Sequence, residues 1–251
     1  MTQNKMMIGI IGGSGLEDPK ILTNFKEIEI DTLFGKTSSK ITNGMIGDKQ
    51  VAIISRHGKN HEISPTEVPY RANIWALKEI GCTRILATTA CGSLKDEFHP
   101  GDLVFIDQFI DWTKLRKLTF FEDFKNGPKH TPMALPFDFE LRQSLIKNAK
   151  ELGLNYHQSG TMITIEGPRF STKAESFMFQ KLGAELINMS SVPEVQLANE
   201  LQIPYQSIAI VTDYDCWKEN EESVTAELVN KRMETCADKV KKLLIKTIEG
   251  L

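Results

Sequence analysis

Short apolar runs alternate along the chain with stretches in which apolar residues recur at helical spacing. Residues 7–11 form a continuous apolar run that stops at Gly12-Gly13-Ser14-Gly15, and 51–55 form a second that stops at Arg56-His57-Gly58. Residues 84–89, 103–110, 161–165 and 205–211 have the same character. Runs of this length bounded by turn residues predict strands. Between them, 70–80, 139–152 and 173–182 predict helices, each followed by a glycine stop at Gly81, Gly153 or Gly183. Ser191 stands three residues before Glu194 with Pro193 between them. That spacing predicts a capping box and a helix start. A last helix is predicted over 225–247. Strands alternating with helices predict an α/β fold, a single-domain three-layer α/β/α arrangement with a mixed central sheet. No repeat or linker interrupts it, so one domain over 1–251 is expected. The irregular stretch is 117–136, and a loop that long is expected to be functional or interfacial.

Composition narrows the class. In 251 residues, 41% are hydrophobic and 25% charged, and the net charge of −3 is spread without a basic stripe. Nucleic-acid and polybasic membrane partners are therefore not expected. No apolar run approaches the roughly 20 residues of a membrane span, and the first residues lack a secretory pattern. The four cysteines, Cys82, Cys91, Cys216 and Cys236, form no close pair. They read as reduced thiols in the cytoplasm.

Ligands of such sheets bind where strands end. The polar residues at predicted strand ends are Ser14, Arg56, His57, Thr88, Thr89, Glu166, Arg169, Ser190, Asp213 and Asp215. Gly12-Gly13-Ser14-Gly15 offers backbone N–H groups and a hydroxyl to an anion, yet taken alone fits a tight turn equally well. Arg56 can grip phosphate bidentately and His57 can donate a further hydrogen bond; the alternative is a surface arginine and a packed histidine. Thr88-Thr89-Ala90-Cys91-Gly92 and Met189-Ser190-Ser191 repeat the pattern of hydroxyls at strand ends. Converging donors without a phosphate-loop lysine suit free phosphate better than a magnesium-bound nucleotide. Phe170, after the rigid Gly167-Pro168 turn, fits a purine stack or a core position. Asp213 and Asp215 are two apart at a strand end, so both carboxylates can face one site. A partly desolvated carboxyl there can act as an acid, whereas a solvated turn would leave both as surface charges. No metal-ligand spacing is present, and no metal is expected.

Read in order, Gly-Gly-Ser-Gly, Ser-Arg-His-Gly, Ala-Asn-Ile-Trp-Ala-Leu-Lys-Glu, Thr-Thr-Ala-Cys-Gly-Ser, Pro-Gly-Asp-Leu-Val, Thr-Ile-Glu-Gly-Pro-Arg-Phe, Asn-Met-Ser-Ser-Val-Pro-Glu and Val-Thr-Asp-Tyr-Asp-Cys-Trp run from Ile8 to the final helix. This series resembles the methylthioadenosine phosphorylase branch of the purine nucleoside phosphorylase family. The resemblance implies phosphate-dependent cleavage of a purine nucleoside in purine and methionine salvage. Phosphate is then a co-substrate, with no cofactor or metal, and the protein a homotrimer or a dimer of trimers. It places phosphate at Ser14, Arg56, His57, Thr89, Ala90 and Ser190, and the purine against Phe170. Met189 would meet the ribose, Asp213 would be the proton partner of N7, and Asp215 would read the base. His130 would reach into a neighbouring subunit's site near the 5′ group, and Ser171 and Ala226 would tune substrate choice. Ser14 and Ser190 replace threonines of some relatives and keep the hydroxyl. The 6-oxopurine branch carries an asparagine at the base-reading strand end, so Asp213 implies adenine. The chain ends at Leu251, where some relatives continue with a segment covering the 5′ pocket. That departure and the small Ala226 imply a roomier 5′ site. The alternatives are a phosphorylase for adenosine, inosine or methylthioinosine, and a nucleoside-binding protein without turnover.

Overall fold

The computed structural model describes residues 6–12, 21–125 and 127–251. Strands β1 (Met7–Gly12), β2 (Thr23–Ile28), β3 (Asp31–Thr32), β4 (Gly35–Lys36), β5 (Ile41–Ile46) and β6 (Lys49–Ser55) precede helix α1 (Tyr70–Glu79). Strands β7 (Cys82–Ser93), β8 (Leu103–Phe105) and β9 (Gln108–Trp112) precede α2 (Phe139–Glu151), and β10 (Tyr156–His157) and β11 (Thr161–Ile165) precede α3 (Lys173–Lys181). Then β12 (Leu186–Asn188) leads into α4 (Ser191–Glu200), and β13 (Tyr205–Asp213) precedes α5 (Ala226–Glu249).

All strands but the β3–β4 hairpin join one mixed sheet, ordered β10-β8-β13-β7-β1-β6-β5-β2, with β12, β11 and β9 branching from β7. The centre is parallel: β1 lies between β6 and β7, and β13 follows β7. Its strands are buried on both faces, which is why they read as continuous apolar runs. Ile11, Ile54, Ile85 and Val211 pack with Ile74, Leu77 and Val195 of α1 and α4 on one face. Ile8, Ile10, Leu86 and Ile210 pack with Leu145 of α2 and Leu243 and Leu244 of α5 on the other. The result is the expected three-layer α/β/α fold.

The strand ladders open the sheet at one place. The last β1–β7 pair is Ile11 with Ala87, whereas β13 accompanies β7 as far as Asp213 opposite Gly92. Thr89 and Ala90 thus lie past the end of β1, on a strand that bends away to pair antiparallel with β12 through Gly92–Ile187. The C-terminal ends of β6 and β13 and the start of α4 surround the opening.

Two expectations are corrected. The run 103–110 is two strands, since β8 pairs with β13 and β9 with β11. Asp107 marks the break, where its carboxylate accepts from Gly160 N at 3.0 Å and pairs with Arg142 at 3.1 Å. Helix α4 starts where predicted, but Ser191 and Glu194 form no capping box. Ser190 is the N-cap without a side-chain bond, Val192 is non-helical, and Glu194 turns elsewhere. A capping box does form on α3, where Thr172 and Glu175 bond reciprocally. The short strands β10 and β12 and the β2–β5 segment had no clear period-two signature.

Candidate active site

The opening past β1 is a cavity of about 500 Å³. At one end the main chain turns out of β6, with Arg56 N donating to Gly12 O at 3.0 Å. Arg56 is 1% exposed and its guanidinium is fixed by three hydrogen bonds to two partners. Nε and Nη2 donate to the Glu194 carboxylate at 2.5 and 2.9 Å, and Nη1 donates to Thr88 O at 2.9 Å. Burial opposes its charge, but the facing Glu194 more than reverses that and holds the guanidinium above its usual range.

Hydroxyls complete this end. Thr89 Oγ1 and Ser190 Oγ are 2.8 Å apart, and Asn188 Nδ2 donates to Thr89 Oγ1 at 3.0 Å and to Ser191 Oγ at 2.7 Å. Thr164 Oγ1 in turn donates to Asn188 Oδ1 at 2.7 Å. Thr89, Ala90 and Ser190 line the cavity with Arg56 and His57. Thr88 does not, and contributes its carbonyl to Arg56 instead.

His57 departs from its expected role as a donor. Burial, helped by the charge of Arg56, pushes its imidazole down to about 4, so the ring is neutral near pH 7. Nδ1 lies 2.9 Å from the carbonyl oxygen of Ile63, which can only accept. The neutral ring therefore carries its proton on Nδ1, and Nε2 presents a lone pair that can accept a hydrogen bond. His61 stacks on it at 4.7 Å and also lines the cavity.

The opposite end belongs to β13 and the segment after β11. The two carboxylates meet in the cavity by a route other than strand alternation. The strand ends at Asp213 with an irregularity after Val211, and Asp215 sits in a turn with φ 51°. That turn is closed by Asp215 N donating to Asp213 Oδ1 at 2.7 Å. Gly92 is required beneath it, because a Cβ there would come within 2.9 Å of Asp213 Oδ1. Burial pushes the Asp213 carboxyl up to about 6 despite the hydrogen bonds from Thr212 and from Asp215 N. Thr212 Oγ1 lies 2.7 Å from Asp213 Oδ2 and 3.1 Å from Cys91 O. When its one proton points to the carbonyl, the hydroxyl accepts from a protonated Asp213. Ser171 Oγ lies 2.7 Å from both oxygens of Asp215. Phe170 and Met189 also line the cavity, and Phe170 is 39% exposed.

The third wall is α5. Ala226, Val229, Asn230 and Met233, at helical spacing, face the cavity with Val224 before them. Thr225 caps this helix, accepting from Leu228 N at 3.2 Å.

Some candidates fall elsewhere. Ser14 lies outside the described residues. Glu166 accepts from Lys114 N, Leu115 N, Thr66 Oγ1 and Arg116 Nε; burial opposes its charge, but the backbone donors dominate and hold it near 2. Arg169 pairs with Glu175 on the surface at 2.6 Å. Neither lines the cavity. His130 is exposed, edge-on to Phe124 at 5.7 Å, and does not line its own chain's cavity. Sequence reasoning missed Asn188, Thr164, Tyr205, His61 and the true role of Glu194. Only Asn188 carried a signal, being a polar residue ending a short apolar run. Among the described residues no cluster of histidine, cysteine, aspartate and glutamate is suited to a metal, and no helix is long and apolar enough to cross a membrane.

Known proteins resemble this chain in sequence and in fold. A profile of the phosphorylase superfamily matches residues 7–249. An S-methyl-5′-thioadenosine phosphorylase from Xenopus tropicalis is 54% identical over 96% of this chain and 87% of its own. One from Thermofilum pendens is 50% identical over 98% and 93%. The structure of methylthioadenosine phosphorylase from Schistosoma mansoni in complex with adenine superposes with a TM-score of 0.93 at 42% identity, covering 98% of this chain and 91% of that one. A mutant of the adenosine/methylthioadenosine phosphorylase of the same organism, in complex with methylthioadenosine, gives 0.91 at 41% identity, covering 98% and 91%. The chain belongs to the phosphorylase superfamily and, within it, to the methylthioadenosine phosphorylase family.

Proposed function

We propose that this protein cleaves 5′-methylthioadenosine with inorganic phosphate, giving adenine and 5-methylthioribose 1-phosphate. The observation that carries the reading is the polarity of one cavity. A buried guanidinium shares one end with the hydroxyls of Thr89 and Ser190, and a carboxyl pushed up to about 6 stands at the other. Cleavage of a glycosidic bond calls for both. The departing purine needs a proton at N7, and the positive sugar needs an anion beside it that then attacks.

In this reading Arg56, Thr89, Ala90, Ser190 and Ser14 hold phosphate, and His57 accepts from a phosphate hydroxyl at Nε2. Phe170 stacks on the purine, and Met189 packs on the ribose. Asp213 gives its proton to N7. Asp215, oriented by Ser171, accepts from the 6-amino group. No metal or cofactor takes part. A neighbouring subunit of a homotrimer, or of a dimer of trimers, brings His130 to the 5′ end. The whole chain acts as one nucleoside phosphorylase domain in the cytoplasm, in purine and methionine salvage.

Asn230 favours a second, overlapping activity. No hydrogen bond engages its amide among the described residues, and it lines an otherwise apolar wall. A 5′-hydroxyl can use that amide, so adenosine is a secondary substrate. The test is an assay of methylthioadenosine, adenosine, inosine and methylthioinosine with and without phosphate. Phosphate-dependent release of adenine, fastest from methylthioadenosine, is expected. Equal release without phosphate rejects phosphorolysis, and tight binding with no product rejects catalysis.

A further inference from the structure

Glu194 is wholly buried, at 0% exposure, in the first turn of α4. It does not cap that helix, and it does not line the cavity. Two of its three hydrogen bonds come from Arg56, Nε to Oε1 and Nη2 to Oε2, and the third comes from Tyr205 Oη, which donates to Oε2 at 2.8 Å. A buried ion pair adds little net stability compared with apolar residues of the same volume, so stability alone explains its presence poorly. The geometry explains it better. Of the guanidinium's five N–H groups, the carboxylate takes two and Thr88 O takes a third. Among the described residues one N–H remains on each terminal nitrogen, and Arg56 lines the anion end of the cavity. The same short segment carries Ser190, whose hydroxyl sits 2.8 Å from that of Thr89. One helix start therefore sets both a hydroxyl and, through Glu194, the guanidinium.

We infer that Glu194, braced by Tyr205, is a positioning residue that aims the two remaining N–H groups of Arg56 at phosphate. The inference rests on the reading that Arg56 holds phosphate. Its action is on one substrate: the nucleoside end, about Asp213 and Asp215, shares no hydrogen bond with Glu194.

The test separates the Michaelis constants of the two substrates in Glu194→Gln, Glu194→Asp, Tyr205→Phe and Arg56→Lys. The glutamine keeps the volume but turns an amide N–H₂ toward a donor. Losing a charged acceptor of this kind raises the phosphate KM by about tenfold or more, with the nucleoside KM moving less than about twofold. Glu194→Asp restores part of the loss, and Tyr205→Phe gives a smaller rise of the same kind. A phosphate KM that is unchanged in Glu194→Gln overturns the inference. So does one that falls, because Glu194 then acts as a brake on the charge of Arg56, and so does an equal rise for both substrates. If Glu194→Gln does not fold, Glu194→Asp and Tyr205→Phe carry the same comparison. Arg56→Lys guards the premise: if it leaves the phosphate KM unchanged, phosphate is not held at Arg56. If it raises that KM while the Glu194 variants do not, positioning alone is rejected.

Discussion

Two walls of the same cavity are built by different rules. The strand-end wall holds Arg56, Thr89, Ser190 and Asp213, all at most 6% exposed and all tied by hydrogen bonds. The helical wall holds Ala226, Val229 and Asn230, which are half-buried or exposed and carry no such network among the described residues. Charge is handled where water is excluded, because there an electrostatic contact is strongest and its donors are already oriented. The helical wall can offer shape and one amide. Chemistry should thus be brittle on the first wall, and substrate choice pliable on the second.

The most severe break is expected at Asp213. Asp213→Asn keeps the shape and the contact to Asp215 N but removes the proton donor. Loss of general acid catalysis lowers kcat/KM for methylthioadenosine by about 10²–10⁴-fold. Preference should shift toward 6-oxopurines, whose O6 can accept from the new amide N–H₂ where a 6-amino group cannot. A loss under about threefold would place the acid elsewhere. Arg56→Lys should rank close behind, but through phosphate affinity.

The pH profile sharpens the same wall. Burial pushes Asp213 from an ordinary 3.8 up to about 6 in the fold, so between those values the native state holds a proton that the unfolded chain has released. Its contribution to stability is therefore complete below about pH 4 and lost as pH rises through about 6. The proton needed for N7 is lost over the same upper limb, so at saturating phosphate kcat/KM for the nucleoside should fall above an apparent pKa near 6. Rate profiles and melting temperatures of wild type and Asp213→Asn from pH 5 to 8 check both. The asparagine variant should lack the limb and gain melting temperature on the wild type as pH rises. A wild-type limb unchanged in the variant would assign it to another group.

These two walls were also unequally legible in the sequence. Arg56, His57, Thr89, Asp213 and Asp215 stood at the ends of runs that are apolar because both faces of β1, β6, β7 and β13 are covered, and a run that stops at polar residues marks a strand end. Glu194 misled for a related reason. Its spacing from Ser191 fits a local cap, but the partner that won is 138 residues away, and only the folded chain brings Arg56 there. Strand β12 has three residues, too few to show a period. The helical wall was readable only at Ala226. Val229, Asn230 and Met233 belong to an amphipathic helix whose inner face is mostly core, and spacing alone does not separate the first turns at a cavity from the later turns at the sheet.

Between the walls, Phe170 should give an intermediate effect. Stacking a base on an aromatic ring is worth about 1–3 kcal/mol by alanine substitution, and the partial exposure of this ring favours the lower end. Phe170→Ala is expected to raise the nucleoside KM severalfold and leave the phosphate KM unchanged, as steady-state kinetics with each substrate varied will show. An equal change in both would mean that Phe170 braces the site as a whole.

The smallest effect belongs to the helical wall and tests whether it is separable. Asn230 is exposed on the first turns of α5, beside Ala226 and Val229, with its amide unengaged among the described residues. Asn230→Leu replaces that amide with apolar surface of similar size. A methylthio group gains contact and a 5′-hydroxyl loses a partner, each a change of about 1 kcal/mol, so the ratio of kcat/KM for methylthioadenosine over adenosine should rise by about five- to thirtyfold. The phosphate KM and the pH limb of Asp213 should stay as in wild type, since no hydrogen bond links Asn230 to either. If the ratio stays flat, the 5′ group does not reach this turn of α5. If the phosphate KM moves with it, the two walls are mechanically coupled and the division between brittle chemistry and pliable choice fails.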